Sequence, residues 1–278
     1  MLSRCVQIAQ GVSMPLFGLG TYKMDLGQML DTIDAALAVG YRLFDTAKAY
    51  ENETELGTAL NQLLPNYNLK REDIFVITKL PGSELNPDTA RLNLGESLRA
   101  LNLGYIDLYV VHYPARTFVS DDPENPRLQE NPGKIRALGV SNYEVKHLVE
   151  MEEYAKIPPA VNQVEFHPHF TRPDIRLYCQ QHGIHVQAYG SLGRMEPALL
   201  DDPVLTSVAK AHNCPAAHIL LMFAYQQGVS VIPKSSKPAR VKDNFNALGV
   251  RLTAEELSAL NALNRNANYV KCTPWLVS

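Results

Sequence analysis

Short apolar runs alternate along the chain with longer stretches in which apolar residues recur every three or four positions. The short runs fall at 16–19, 42–45, 74–80, 106–112, 135–140, 160–165, 184–189 and 229–233. Ile74-Phe75-Val76-Ile77 and Leu108-Tyr109-Val110-Val111 are apolar without a break, the pattern of strands buried on both faces of a parallel sheet. The longer stretches predict helices over 29–39, 53–63, 88–101, 145–154, 173–182, 204–212, 216–227, 239–248 and 254–263. Asn86, Pro87 and Asp88 supply cap chemistry at the third of these starts. Ahead of the first strand, the Gln10-Gly11 turn predicts a hairpin.

Eight strands separated by helices call for parallel pairing, and eight such units in about 230 residues fit a (β/α)8 TIM barrel. A doubly wound sheet is the competing α/β architecture. It would carry a GxGxxG turn after a strand, and none occurs. No Gly/Ser linker interrupts the pattern, so a single domain over 1–278 is expected. One crossover departs from the scheme. Between strands four and five, the stretch from Pro114 to Gly133 holds Pro114, Pro123, Pro126 and Pro132 and keeps no helical period. It is long enough to cross over, but its helix reads as deleted.

Composition narrows the function. The 278 residues are 46% hydrophobic, enough for a large core. No apolar run approaches the ~20 residues of a membrane helix, and residues 1–15 lack the apolar segment of a secretory signal. The net charge of −3 gives no reason to expect nucleic acid or an anionic membrane as partner. Cys5, Cys179, Cys214 and Cys272 are far apart and share no CxxC spacing, so reduced thiols in a cytoplasmic protein are expected.

In a barrel of this kind the chemistry sits where strands end. Reading those ends in order gives Asp45 after strand two, Tyr50 in the loop beyond, Lys79 at the end of strand three and His112 at the end of strand four. A lysine inside the apolar Ile77-Thr78-Lys79-Leu80 run is costly unless paired, and Asp45 is one strand away. A free tyrosine titrates near ~10, and a neighbouring ammonium favours its phenolate. Tyr50 beside Lys79 could therefore give a proton to a carbonyl oxygen, with Asp45 holding Lys79 and a neutral His112 orienting the carbonyl.

These residues lie in runs that resemble the aldo-keto reductase family. They are Phe17-Gly18-Leu19-Gly20-Thr21-Tyr22-Lys23, Gly40-Tyr41-Arg42-Leu43-Phe44-Asp45-Thr46-Ala47, Tyr50-Glu51-Asn52-Glu53, Ile77-Thr78-Lys79-Leu80 and Asp107-Leu108-Tyr109-Val110-Val111-His112. Gly139-Val140-Ser141-Asn142-Tyr143, Val161-Asn162-Gln163-Val164-Glu165 and Val231-Ile232-Pro233-Lys234-Ser235 continue the match, which runs from about residue 14 to 265. The resemblance implies a (β/α)8 barrel and NADPH-dependent reduction of aldehydes or ketones. It implies that Asp45, Tyr50, Lys79 and His112 form the catalytic tetrad. Ser141, Asn142 and Gln163 fall where the family holds the nicotinamide carboxamide, Tyr189 where an aromatic ring stacks on the nicotinamide, and Thr21 near its ribose.

Lys234, Lys237, Arg240 and Lys242 cluster after strand eight where a helix opens, the corner of a barrel that favours phosphate. The resemblance assigns Lys234, Ser235 and Arg240 to the 2′-phosphate and Asn244 to the adenine, with Asp243 where the family often has Glu. NADPH is thus expected over NADH, with a small aldehyde or ketone as partner and a monomer as the working form. Tyr22 and Tyr113 stand at pocket positions where many relatives carry Trp. Gly190-Ser191 replace the usual Ser-Pro, and the tail from Asn266 is short, which suggests an open pocket.

Two other features were weighed. His167 and His169 lack a local third ligand and read as packed loop histidines rather than a metal site. Asp121-Asp122 and Asp201-Asp202 read as solvated turns. The deleted helix should bury three or four apolar side chains worth ~1.5–3 kcal/mol each. The total rivals the ~5–15 kcal/mol net stability of a whole domain. A nucleotide-binding but weakly active or inactive variant, or a poorly folded one, is therefore the alternative to an active reductase.

Overall fold

Around the Gln10-Gly11 turn, β1 (Cys5–Ala9) and β2 (Val12–Pro15) pair antiparallel, with Gly11 at φ 70°, a backbone region open to glycine. The computed structural model describes residues 4–82, 87–114 and 133–270. After the hairpin come β3 (Leu19–Gly20), α1 (Leu26–Val39), β4 (Leu43–Asp45), α2 (Glu53–Leu63), β5 (Phe75–Leu80), α3 (Pro87–Leu101) and β6 (Ile106–Val111). The second half holds β7 (Ile135–Ser141), α4 (Val145–Glu152), β8 (Val161–Glu165), α5 (Pro173–Gln181) and β9 (His185–Tyr189). It ends with α6 (Pro197–Leu200), α7 (Pro203–Ala211), α8 (Ala216–Gln226), β10 (Ser230–Val231), α9 (Pro238–Asn246) and α10 (Ala254–Asn261).

Strands β3 to β10 pair in sequence order, every pair parallel, as one eight-stranded sheet. Parallel bridges Phe17↔Val231 and Gly20↔Lys234 bring its two edges together and close the (β/α)8 barrel. The helices start and stop where local chemistry dictates. Asp25 caps α1 by accepting from Gln28 N at 2.8 Å. Gly40, at φ 109°, ends it by donating to the carbonyls of Ala36 and Leu37. Prolines open α5, α7 and α9, where a missing N–H loses nothing.

Side-chain alternation along the strands divides the core in two. Leu43, Phe75, Ile77, Leu108, Val110, Ala137 and Val161 form an inner cluster with Val12 and Met14, so the hairpin plugs the bottom of the barrel. The intervening residues, such as Phe44, Val76 and Tyr109, pack outward against the helices. Helix α2 comes so close to α3 that a Cβ on Gly57 would lie 2.0 Å from the Leu101 carbonyl oxygen. Only glycine permits that approach.

Three elements differ from expectation. The first and eighth strands are shorter than the apolar runs that encode them, because only two residues of each lie in the ladder where the barrel closes. The single turn α6 was not expected; four residues are too few to show a helical period. Asp202 is a partly buried cap and not a solvated turn residue: its carboxylate accepts from Val204 N at 3.0 Å and lies 3.1 Å from His169 Nε2. The deleted crossover helix and Asp121-Asp122 fall on residues 115–132, outside the described residues. Among the described residues, no helix is long and apolar enough to cross a membrane.

Candidate active site

The inward parity that places Leu43, Ile77 and Val110 inside the barrel carries Asp45, Lys79 and His112 to its upper layer, two residues further along each strand. Tyr50 joins them from a 3-10 turn after β4, Lys48–Tyr50. Lys79 is fully buried and Asp45 nearly so. Lys79 Nζ lies 2.7 Å from each Asp45 carboxylate oxygen, 2.7 Å from the Thr46 carbonyl oxygen and 3.4 Å from the Tyr50 hydroxyl. A carboxylate, a carbonyl and a hydroxyl thus surround the three protons of the ammonium. Burial pulls the Lys79 ammonium below its usual range, and the Asp45 carboxylate opposes that pull.

His112 faces the Tyr50 ring edge-on at 5.8 Å and stacks on Tyr113 at 4.5 Å. Burial, aided by the Lys79 charge, pulls the His112 imidazolium down to about 3, so the ring is neutral at physiological pH. Tyr22, more than a third exposed, lies edge-on to Tyr50 at 4.9 Å. The four tetrad residues and both pocket tyrosines thus form one cluster.

The expected carboxamide site lies on the adjoining strands. Ser141, on β7, donates to the Gln163 carbonyl at 2.8 Å. Asn142 sits at φ 64° and donates to the His112 carbonyl and to Ser141 Oγ, both at 3.0 Å. The Tyr189 hydroxyl donates to Asn142 Oδ1 at 2.6 Å. Gln163 donates to Asp45 Oδ2 at 2.9 Å and so ties this group to the lysine pair. Thr21 is buried, and its hydroxyl donates to the Asp45 carbonyl at 3.0 Å.

The basic corner lies at the start of α9. Lys237 caps the helix, and Ser235 Oγ accepts from Lys237 N at 3.2 Å. Lys234 and Arg240 are exposed, and neither is ion-paired with a carboxylate among the described residues. Partial burial and the charge of Lys23 both push the Lys234 ammonium below its usual range. Cations beside a helix N-terminus suit a phosphate. Asn244 is buried within α9, and Asp243 lies 3.2 Å from His218 Nε2.

His167 and His169 are buried in the loop after β8. His167 Nε2 lies 3.0 Å from Glu165, and His169 Nδ1 lies 2.7 Å from the Tyr269 hydroxyl. Three further buried polar residues lie beside the site. Asn52 accepts from Thr46 and donates to the Thr21 carbonyl. Glu53, whose carboxyl is pushed up by burial, accepts from Thr78 at 2.6 Å and Ser97 at 3.1 Å. Gln187 hydrogen-bonds Gln163. For Gln187 a signal existed: two residues before Tyr189, it is a polar residue on the inward face of an otherwise apolar strand.

A barrel with a buried Asp–Lys pair, a tyrosine and a neutral histidine at the carboxyl ends of its strands defines a class, and comparison with known proteins agrees. The Aldo/keto reductase family model matches residues 15–265. Glyoxal reductase of Bacillus subtilis is 37% identical, over 95% of this chain and 94% of its own. Aldose reductase B of Dictyostelium discoideum is 36% identical, over 94% of this chain and 91% of its own. An aldo-keto reductase of Bombyx mori, solved in complex with NADP, superposes with a TM-score of 0.88 at 30% identity, covering 99% of this chain and 97% of its own. The chain belongs to the aldo/keto reductase family, and it is an oxidoreductase of that class. The alignment with the Dictyostelium protein spans 287 positions, more than the 278 residues of this chain, so that relative carries residues which this one lacks.

Proposed function

We propose that the protein reduces aldehydes and ketones to alcohols with NADPH, with Tyr50 as proton donor. The observation that carries this reading is the placement of Lys79 Nζ between the Asp45 carboxylate and the Tyr50 hydroxyl. An ammonium only donates, so the Tyr50 oxygen is the acceptor in that contact and its own proton takes no part in it. The same positive charge favours the phenolate that remains once the proton has gone. His112 is a poor rival as proton source. With its imidazolium pulled down to about 3, roughly one ring in ten thousand is protonated at pH 7. As a neutral N–H donor it suits a carbonyl oxygen and holds it near Tyr50.

The residues present fit the cofactor. Exposed Lys234 and Arg240, with the N-terminus of α9, offer cations without carboxylate partners among the described residues for a 2′-phosphate. Ser141, Asn142 and Gln163 gather amide and hydroxyl groups beside the tetrad for a carboxamide, and the Tyr189 ring is steered by its bond to Asn142. NADPH, when bound, supplies the hydride. The chain binds and orients both reactants, holds the proton on Tyr50 and stabilises the phenolate.

The test is a panel of aldehydes and ketones, 4-nitrobenzaldehyde among them, followed by loss of NADPH absorbance. Turnover of aldehydes with NADPH and little with NADH is expected. NADPH binding with no oxidation across the panel would leave a nucleotide-binding protein without this activity.

A further inference from the structure

Four buried side chains run in a line across the barrel interior, from the hairpin plug to the tetrad. Met14 is fully buried at the bottom. Gln187 Nε2 lies 3.8 Å from the Met14 sulfur, and Gln187 Oε1 accepts from Gln163 Nε2 at 2.7 Å. Gln163 Nε2 also donates to Asp45 Oδ2 at 2.9 Å. Gln163 and Gln187 are register partners on β8 and β9, which fixes their side chains on the same inward layer.

The direction of each amide follows from donor and acceptor chemistry. A thioether sulfur has no proton and can only accept. Gln187 therefore turns its NH2 toward Met14 and its oxygen toward Gln163. Gln163 must then turn its NH2 toward Gln187, and the Asp45 carboxylate, also acceptor-only, demands the same orientation. Both protons of Gln163 Nε2 are thereby engaged. Its Oε1 is left as the atom that forms no hydrogen bond among the described residues.

We propose that Gln187, steered by Met14, is a positioning residue that fixes the Gln163 amide, so that its oxygen is offered to the NH2 of the nicotinamide carboxamide while its nitrogen braces Asp45 against Lys79. This rests on the NADPH reading above. Gln187 touches neither cofactor nor substrate; it acts through Gln163. With the acceptor at position 187 removed, one of the two bonds that fix the Gln163 amide is lost, and its oxygen is held less firmly toward the carboxamide.

Binding measurements on Gln187→Met, which keeps the volume but loses the acceptor, separate this role from others. Protein fluorescence is titrated with NADPH, with its 3-acetylpyridine analogue, whose methyl ketone has no NH2, and with 2′,5′-ADP, which reaches only the phosphate corner. The loss of one neutral hydrogen bond should weaken NADPH about three- to tenfold and leave the analogue and 2′,5′-ADP unchanged. Equal NADPH affinity in wild type and variant overturns the proposal alone. Equal weakening of all three ligands also overturns it, since that is a general structural defect. Wild-type protein that binds neither NADPH nor 2′,5′-ADP overturns the NADPH reading, and this proposal with it. If Gln187→Met does not fold, two other measurements decide. Met14→Leu should weaken NADPH and spare 2′,5′-ADP, and no change in either counts against the relay. Wild-type protein should prefer NADPH to the analogue, and equal affinities overturn the proposal.

Discussion

Lys79 Nζ stands 3.4 Å from the Tyr50 hydroxyl, while the Asp45 oxygens hold it at 2.7 Å. The lysine is thus fixed by its carboxylate and only loosely bonded to the tyrosine. An ammonium clamped in this way stabilises charge that develops on the phenol without first having to release a strong bond to it. Tyr50→Phe removes the proposed proton donor and leaves the rest in place. A loss of about a hundredfold or more in kcat is expected, with NADPH affinity within about twofold of wild type. Stopped-flow turnover and a fluorescence titration check the two halves. A variant that retained wild-type kcat would mean that the proton comes from elsewhere.

The Asp45–Lys79 pair is buried, so breaking it strands a charge. Lys79→Met leaves the Asp45 carboxylate with the Gln163 amide but no cation. Destabilisation of about 3–5 kcal/mol is expected from urea unfolding. The double variant Asp45→Asn/Lys79→Met should recover part of that loss, since no charge is then left unpaired. If the double variant were as unstable as the sum of both singles, the coupling would be absent.

His112 titrates about 3 in the folded protein and near ~6.5 when unfolded. A folded value below the unfolded one means that the unfolded chain binds the extra proton. The stability from this group is therefore complete above about pH 6.5 and is lost as pH falls toward 3, by about 1.4 kcal/mol per unit at most. His185, pulled down to about 4 by burial, acts in the same direction. Urea midpoints for wild type and His112→Gln should converge between pH 7 and pH 5, the variant losing less. Parallel curves would show that the ring is not held neutral. In kinetics, no acid limb near pH 6.5 should trace to His112.

At the phosphate corner, Lys234→Met and Arg240→Ala should each raise the Kd for NADPH roughly tenfold or more, as expected for a charge-assisted hydrogen bond. The Kd for NADH should hardly change, and the preference for NADPH should shrink with added salt. Equal losses for both cofactors would move the 2′-phosphate away from these residues.

Much of this was readable from residues alone, for reasons that particular elements make plain. Parallel strands buried on both faces announce themselves as unbroken apolar runs, as in Ile74-Phe75-Val76-Ile77, and a lysine at the end of one can only be paired. Helix bounds were legible where Pro173, Pro203, Pro238 or Gly40 punctuates the chain. The cluster of Lys234, Lys237, Arg240 and Lys242 at one helix start was also legible as a run of cations. Hidden from the sequence were contacts between distant segments. Glu53 meets Thr78 and Ser97, and Gln187 meets Gln163 and Met14, at separations that no local period encodes. Asp202 looked like a turn residue because its histidine partner lies 33 positions away.

The barrel closes on its two shortest strands, through Phe17↔Val231 and Gly20↔Lys234. Few backbone bonds hold this edge, so it is the natural first place for the cylinder to unzip, and the amides of Gly18 and Val231 should exchange with solvent ahead of those in β5 and β6. Lys234 is part of this closure, and Thr21 follows it directly. A dinucleotide that touches both would fasten the edge like a clasp, and its departure would leave the whole cylinder looser than the loss of a few surface contacts suggests.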